Sequence, residues 1–311
     1  MKEKLWRFDI LVNDCLMNFN LREPKIYPES NDYLLSVVNG FEDEHWMKKN
    51  FQDFIFNNIA QTALNAEERI KCIDDSYTAL TEAAKHLRLI EDKGQGSEIA
   101  EIVLYGIMKH HYKAISVTPK IFYKQNDNDN AKGADAVHIV LTNDGNFQLW
   151  LGEAKFYNSI EDVRFAEPLN SVKQMLGTSI IRKEMSVMTS LHELDNQIKD
   201  IQLVKNIKEA LRGDVSIDEI KPHIHVPILL LHECEITAKA KRLDELYIQQ
   251  IKEFHKERAI SFFRKQISKL GNIANYDSIQ FHLILFPIPK KKDVVDWFIN
   301  RAKILKQDGE C

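Results

Sequence analysis

Residues 147–157 read Phe147-Gln148-Leu149-Trp150-Leu151-Gly152-Glu153-Ala154-Lys155-Phe156-Tyr157, one acidic and one basic side chain inside an apolar run. The run from Phe147 to Phe156 has the composition of a buried strand. Side chains alternate along a strand, so Glu153 and Lys155 share one face and Ala154 takes the other. A carboxylate and an ammonium then project side by side. Asp/Glu-x-Lys also occurs at Glu23-Pro24-Lys25, Glu91-Asp92-Lys93 and Glu219-Ile220-Lys221. Those three lie beside proline or glycine, and only Glu153/Lys155 sits within an apolar strand.

The preceding stretch supplies a partner. Ala134–Leu141 reads as a second strand, and Thr142-Asn143-Asp144-Gly145-Asn146 carries the Asp-Gly signal of a hairpin turn. Asp135 lies nine residues before Asp144 and Glu153 nine after it, which predicts that they face each other across the hairpin. Two carboxylates so placed can share a hard divalent cation such as Mg²⁺ or Mn²⁺. Such an ion acidifies a bound water and stabilises charge on a cleaving phosphate, and a fixed ammonium at Lys155 neutralises developing charge.

Working outward, residues 1–45 read as irregular, with one strand around Leu5 to Val12 and breaks at Pro24 and Pro28. Residues 46–90 show the spacing of two amphipathic helices. After Gly94 and Gly96, a helix capped by Ser97 runs to about Tyr112, and His110-His111 is positioned to meet its carboxyl-terminal dipole. A strand over Ile115–Tyr123 and a polar loop at Asn126–Asn130 precede the hairpin. Helices are expected over 159–185, 193–212, 239–269 and 293–306, with strands at His225–His232 and Ile279–Phe286. This order describes an α/β or α+β sheet covered by helices, in two parts: an N-terminal, partly helical extension (1–93) and a core (94–311).

Composition narrows the function. The 311 residues are 44% hydrophobic, and 42 basic against 46 acidic side chains give a net charge of −4. No global field attracts polyanions, so nucleic-acid contact has to be local or supplied by a partner. The basic runs Lys290-Lys291-Lys292 and Lys239-Ala240-Lys241-Arg242 are the local candidates, although such runs are commonly solvated helix ends. The four cysteines (Cys15, Cys72, Cys234, Cys311) form no Cys-x-x-Cys pair, which suits a reducing cytoplasm. No run approaches the roughly 18 apolar residues of a membrane span. His223 and His225 fall on one strand face and His232 and Cys234 on the other, an arrangement that disfavours a single zinc site. Phosphate-loop and Gly-x-Ser-x-Gly motifs are absent from the sequence.

Gly133-Ala134-Asp135 with Gly152-Glu153-Ala154-Lys155-Phe156-Tyr157, preceded by Glu98-Ile99-Ala100-Glu101-Ile102-Val103-Leu104-Tyr105, resembles the PD-(D/E)xK nuclease superfamily. More narrowly it resembles the HamA family, effector subunits of Hachiman anti-phage defence systems. Ala134 stands where the superfamily has proline. The resemblance implies a restriction-endonuclease-like mixed sheet flanked by helices, with Asp135 and Glu153 as metal ligands and Lys155 as catalytic lysine. It also implies a glutamate from the preceding helix. Glu98 and Glu101 share a helix face, and Glu101 is the preferred third ligand; the other reading is that both only favour the helix dipole. The implied activity is Mg²⁺-dependent DNA hydrolysis, held in check by a HamB-like helicase until infection is sensed. Two alternatives remain open: a catalytically inactive nuclease-fold module that binds DNA or a partner, and a stand-alone restriction-type or RNA-directed nuclease.

Overall fold

The computed structural model describes residues 6–19, 31–88, 96–119, 121, 133–143, 145–190 and 193–310. Among these, seven strands form one mixed sheet in the order β1-β2-β9-β8-β7-β6-β5. They are β1 (Asp9–Cys15), β2 (Asp32–Val38), β5 (Ile115–Thr118), β6 (Ala136–Leu141), β7 (Phe147–Tyr157), β8 (Ile224–Glu233) and β9 (Gln280–Ile288). A separate small ribbon pairs β3 (Phe41–Glu42) with β4 (His45–Trp46). β5, β6 and β7 are antiparallel neighbours, whereas β7, β8, β9 and β2 run parallel. The fold is therefore mixed α/β, with helices on both sheet faces.

One face is covered by α1 (Lys48–Ala63), α3 (Ser76–Lys85), α4 (Ser97–His110) and the helix Lys291–Glu310, packed on Trp150, Ala154 and Phe156. The other is covered by the helices Ala166–Met175, Thr178–Ser190, Ile201–Ala210 and Glu245–Leu270, packed on Leu149 and Leu151. The alternation read from β7 thus divides the two cores. α2 (Ala66–Lys71) lies between α1 and α3 and closes its amino terminus with a reciprocal Asn65/Glu68 capping box.

Several boundaries differ from the sequence reading. The strand expected around Leu5 to Val12 is found at Asp9–Cys15, and a second N-terminal strand that was not expected, β2, lies between it and β9 in the main sheet. Leu5, Pro24, Pro28, Gly94, Asn126–Asn130, Asp144 and Cys311 lie outside the described residues. Of the stretch 46–90, the described residues 46–88 hold three helices rather than two. The strand expected to Tyr123 ends at Thr118, because Pro119 has no N–H for the ladder. The helix expected over 159–185 is interrupted at Gly177, whose N–H bonds to the Gln174 carbonyl. That expected over 193–212 splits into Glu193–Gln197 and Ile201–Ala210, and that over 239–269 into Glu235–Lys239 and Glu245–Leu270, the latter capped by Asp244. Ser97 does not cap α4. The cap position is Gly96, at φ 78°, where a Cβ would lie 2.9 Å from Val295 and 3.0 Å from Phe156.

Pro227 sits in β8, a strand paired on both sides. The β7·β8 ladder pairs Trp150 with His225 and Glu153 with Ile228 and is interrupted between them, where Gly152 faces Pro227. A Cβ on Gly152 would lie 2.9 Å from Leu104, 3.2 Å from Ala136 and 3.4 Å from Pro227. The missing side chain lets α4 and the proline ring close on β7 one residue before Glu153. We expect Gly152→Val to cost about 1–3 kcal/mol in urea unfolding by overpacking; an unchanged unfolding midpoint would show that this contact is slack.

Candidate functional site

The register of the hairpin is the one the symmetric count predicts: Ala136 pairs with Gly152, so the next position outward sets Asp135 opposite Glu153. Two hydrogen bonds fix Asp135 there. Its N–H donates to the Gly152 carbonyl at 2.8 Å, and its Oδ2 accepts from the Ala154 N–H at 3.1 Å. Gly145 adopts φ 80° and Thr142 N–H donates to the Asn146 carbonyl at 2.9 Å, closing the turn.

Glu153 is 3% exposed. Burial, and then the charge of Asp135, push its carboxyl up to about 7, against the opposing pull of Lys155 and a hydrogen bond from Ser171. Lys155 Nζ stands 2.7 Å from Glu153 Oε1 and 3.7 Å from Glu167 Oε1. Burial works against this ammonium, but Glu153 and Asp135 outweigh it and hold it above the usual lysine value. Lys155 therefore remains a cation at neutral pH. Tyr157 donates to Glu167 Oε2 at 2.8 Å, so Glu167 is oriented from the same strand.

Of the two helix glutamates, Glu101 is the one that lines a cavity with Asp135. Both are buried, each 7% exposed. Glu98 Oε1 accepts the Arg88 N–H at 2.8 Å. Glu101 lines a small cavity together with Asp135, Tyr105, Thr118 and His138. In that cavity Thr118 Oγ1 and both ring nitrogens of His138 are buried without a hydrogen-bond partner among the described residues. Burial pushes His138 down to about 3, so its ring is neutral. Asp135 is thus the link: it shares this cavity with Glu101 and acts on Glu153 across the hairpin. Among the described residues, no three His, Cys, Asp or Glu side chains converge as a ready-made metal group.

Three residues near this site escaped the sequence reading. Glu167 and Ser171 are four apart on the helix Ala166–Met175 and reach Lys155 and Glu153 from above the sheet. Glu184 accepts the Ala134 N–H at 3.2 Å and steadies the approach to Asp135. Their i, i+4 spacing just after β7 was the signal for the first two.

Other histidines and basic runs are engaged elsewhere. His225 Nδ1 is 2.9 Å from His282 Nε2, and His232 Nε2 is 3.3 Å from His255 Nε2. His110 does not act as a cation at the helix end: burial, then Lys109 and Lys113, push it down to about 4, and its Nε2 meets Asn58 Oδ1 at 3.1 Å. In the basic runs, Lys239 pairs with Glu235, Lys241 with Glu44, Arg242 with Asp244 and Lys292 with Asp296. Lys291 Nζ donates to the Phe156 carbonyl at 2.6 Å. These clusters are bound up in local pairs. No helix among the described residues is long and apolar enough to cross a membrane.

No curated protein matches the chain. The family model named HamA matches residues 13–302 of the 311, spanning β2 through β9 and every residue of the Asp135/Glu153/Lys155 site. The chain therefore belongs to the HamA family.

Proposed function

We propose that this chain is a divalent-cation-dependent deoxyribonuclease, the effector of a Hachiman anti-phage defence system, with a PD-(D/E)xK centre formed by Asp135, Glu153 and Lys155. Family membership supports the defence role. The observation that carries the nuclease reading is the juxtaposition of a buried glutamate raised to about 7, an aspartate opposite it, and an ammonium 2.7 Å away. Strongly perturbed groups gathered at one place mark functional sites.

The donor set fits a hard cation. Carboxylate oxygens are the ligands Mg²⁺ and Mn²⁺ prefer, and positive charge between Glu153 and Asp135 would offset the burial and the Asp135 charge that raise Glu153. Thr118 Oγ1 and the ring nitrogens of His138, which have no hydrogen-bond partner among the described residues, line the small cavity beside Asp135 and Glu101. Asp135 and Glu153 would hold the ion, with Glu101 the candidate third donor. When bound, it supplies an acidified water and neutralises charge on the phosphate. Lys155, kept protonated by its carboxylate neighbours, is an electrostatic group and not a base: it pairs with a phosphate oxygen or orients the water. Glu167, held by Tyr157, limits where that ammonium can swing.

A HamB-like helicase is the expected partner that restrains cleavage until infection is sensed, and a chain of net charge −4 suits a division of labour in which that partner grips the DNA. The decisive assay incubates plasmid DNA and RNA with the purified chain, with and without Mg²⁺, beside Glu153→Ala. DNA cleavage that needs Mg²⁺ and vanishes in the variant is expected; full phage protection by Glu153→Ala would instead establish a binding module.

A further inference from the structure

The helix Glu245–Leu270 changes character along its length. Acids and bases mix from Glu245 to Glu257, whereas Arg258–Leu270 holds Arg258, Arg264, Lys265 and Lys269 and no acid, in a chain of net charge −4. Arg258, Lys265 and Lys269 are seven and then four residues apart, which sets them on one helix face over about 16 Å. That face lies against the short helix Asp162–Phe165 and the start of the helix Ala166–Met175. Asp162 Oδ1 accepts from Arg258 Nη1 at 3.0 Å and from Ser261 Oγ at 2.7 Å, and Lys265 Nζ stands 3.5 Å from its Oδ2. Lys265 Nζ also donates to the Asp162 carbonyl at 2.8 Å, and Lys269 Nζ donates to the Ala166 carbonyl at 3.3 Å. No other acid pairs with Arg258, Lys265 or Lys269 among the described residues. Three cations meet one carboxylate, and positive charge is left over.

This surplus lies on the rim of the Asp135/Glu153/Lys155 site. Ala166 directly precedes Glu167, which stands 3.7 Å from Lys155, and Arg164 lies over the Tyr157 ring at 5.9 Å. Arg164, Lys265 and Lys269 thus continue outward from Lys155 across the surface, beside an open hollow of about 530 Å³ lined by Lys265, Ser268 and Lys269. We propose that this face carries the backbone of the DNA that flanks the scissile bond, its phosphates against Arg164, Lys265 and Lys269 while Arg258 neutralises Asp162. The polymer is named on the nuclease reading, and the path it takes is the addition. One strand of duplex DNA presents about five phosphates over the length of the face. Tying two carbonyls to a helix calls for donors and not for charge, and like charges at i, i+4 oppose helix formation, so a purely structural role leaves Lys265 and Lys269 unaccounted for. An acidic protein could meet the same cations, but a line of charge that begins at the site's own lysine matches a polymer threaded through that site.

The test measures anisotropy of a labelled oligodeoxynucleotide duplex with the full chain in EDTA, so that cleavage plays no part, across about 50 to 200 mM salt. Lys265→Gln combined with Lys269→Gln leaves a donor for each carbonyl and removes both charges. It should weaken binding at least about tenfold at the low-salt end and flatten the dependence of log Kd on log salt by about 2. Because the repulsion leaves with the charges, the double variant should melt no lower than the wild type. Arg164→Gln is an independent arm from outside this helix, with a slope change of about 1, and decides the matter if the double variant does not fold. Lys239→Gln removes the same charge far along the chain and should change neither quantity. An unchanged slope in the double variant and in Arg164→Gln, an equal loss in Lys239→Gln, or no measurable binding by the wild type at low salt overturns the proposal. The two readings fail separately: Mg²⁺-dependent cleavage alongside an unchanged slope would sink only the DNA path, and charge-dependent binding by a chain that never cuts would sink only the nuclease.

Discussion

Lys155→Ala is expected to lower DNA cleavage by at least about 10²-fold, the usual cost of deleting a group that stabilises transition-state charge, while the melting midpoint stays near that of the wild type. Two effects act together. The ammonium 2.7 Å from Glu153 is lost as a partner for phosphate. Its pull on Glu153 is lost as well, leaving burial and Asp135 to push that carboxyl still higher. Lys155→Arg keeps the charge, but a planar guanidinium does not fit between Glu153 and Glu167 as an ammonium does, so most activity should still be missing. Plasmid nicking rates beside thermal melts decide it: wild-type cleavage by Lys155→Ala would remove this lysine from the chemistry.

Divalent metal should stabilise the protein more at pH 8 than at pH 6. Glu153 is raised from an ordinary value of 4.5 to about 7 in the folded chain. The unfolded chain therefore gives up this proton first as pH rises. Its contribution to stability is complete below about pH 4.5 and is lost on the way up through about pH 7, as charge builds beside Asp135. A divalent ion binds the ionised pair and offsets that loss, whereas at pH 6 it competes with a bound proton. Adding Mg²⁺ should therefore lift the melting midpoint at pH 8, lift it much less at pH 6, and leave Glu153→Gln almost unmoved. An equal lift at both pH values, or one that persists in Glu153→Gln, would place the ion elsewhere.

The parts of the site carried by local pattern were legible in the sequence. Alternation along β7 fixed the shared face of Glu153 and Lys155, and equal spacing from the turn fixed the pairing with Asp135, because a hairpin register depends only on nearby residues. Contacts set by distant packing were not legible. β2 finds its partner in β9, about 250 residues away, and although a strand was readable near β1, its place at the edge beside β2 was not. Glu167 reads as one more polar residue on an amphipathic helix, and only the docking of that helix on β7 brings it to Lys155. The helix breaks at Gly177 and before Asp244 were marked by breaker and capping residues, yet apolar spacing on both sides carried the sequence reading straight through them.

β7 lies in the sheet interior, held by β6 on one flank and β8 on the other, and carries both Glu153 and Lys155. Distorting it would tear two ladders at once, so a partner that silenced the proposed nuclease would have little prospect of bending β7 out of true. Under the proposed function, a restraining partner would act at the entrance, by blocking the polymer or by prying at the helix Ala166–Met175, and the restrained assembly would hold its reactive groups already aligned. Such a nuclease would be ready to cut as soon as its guard lets go.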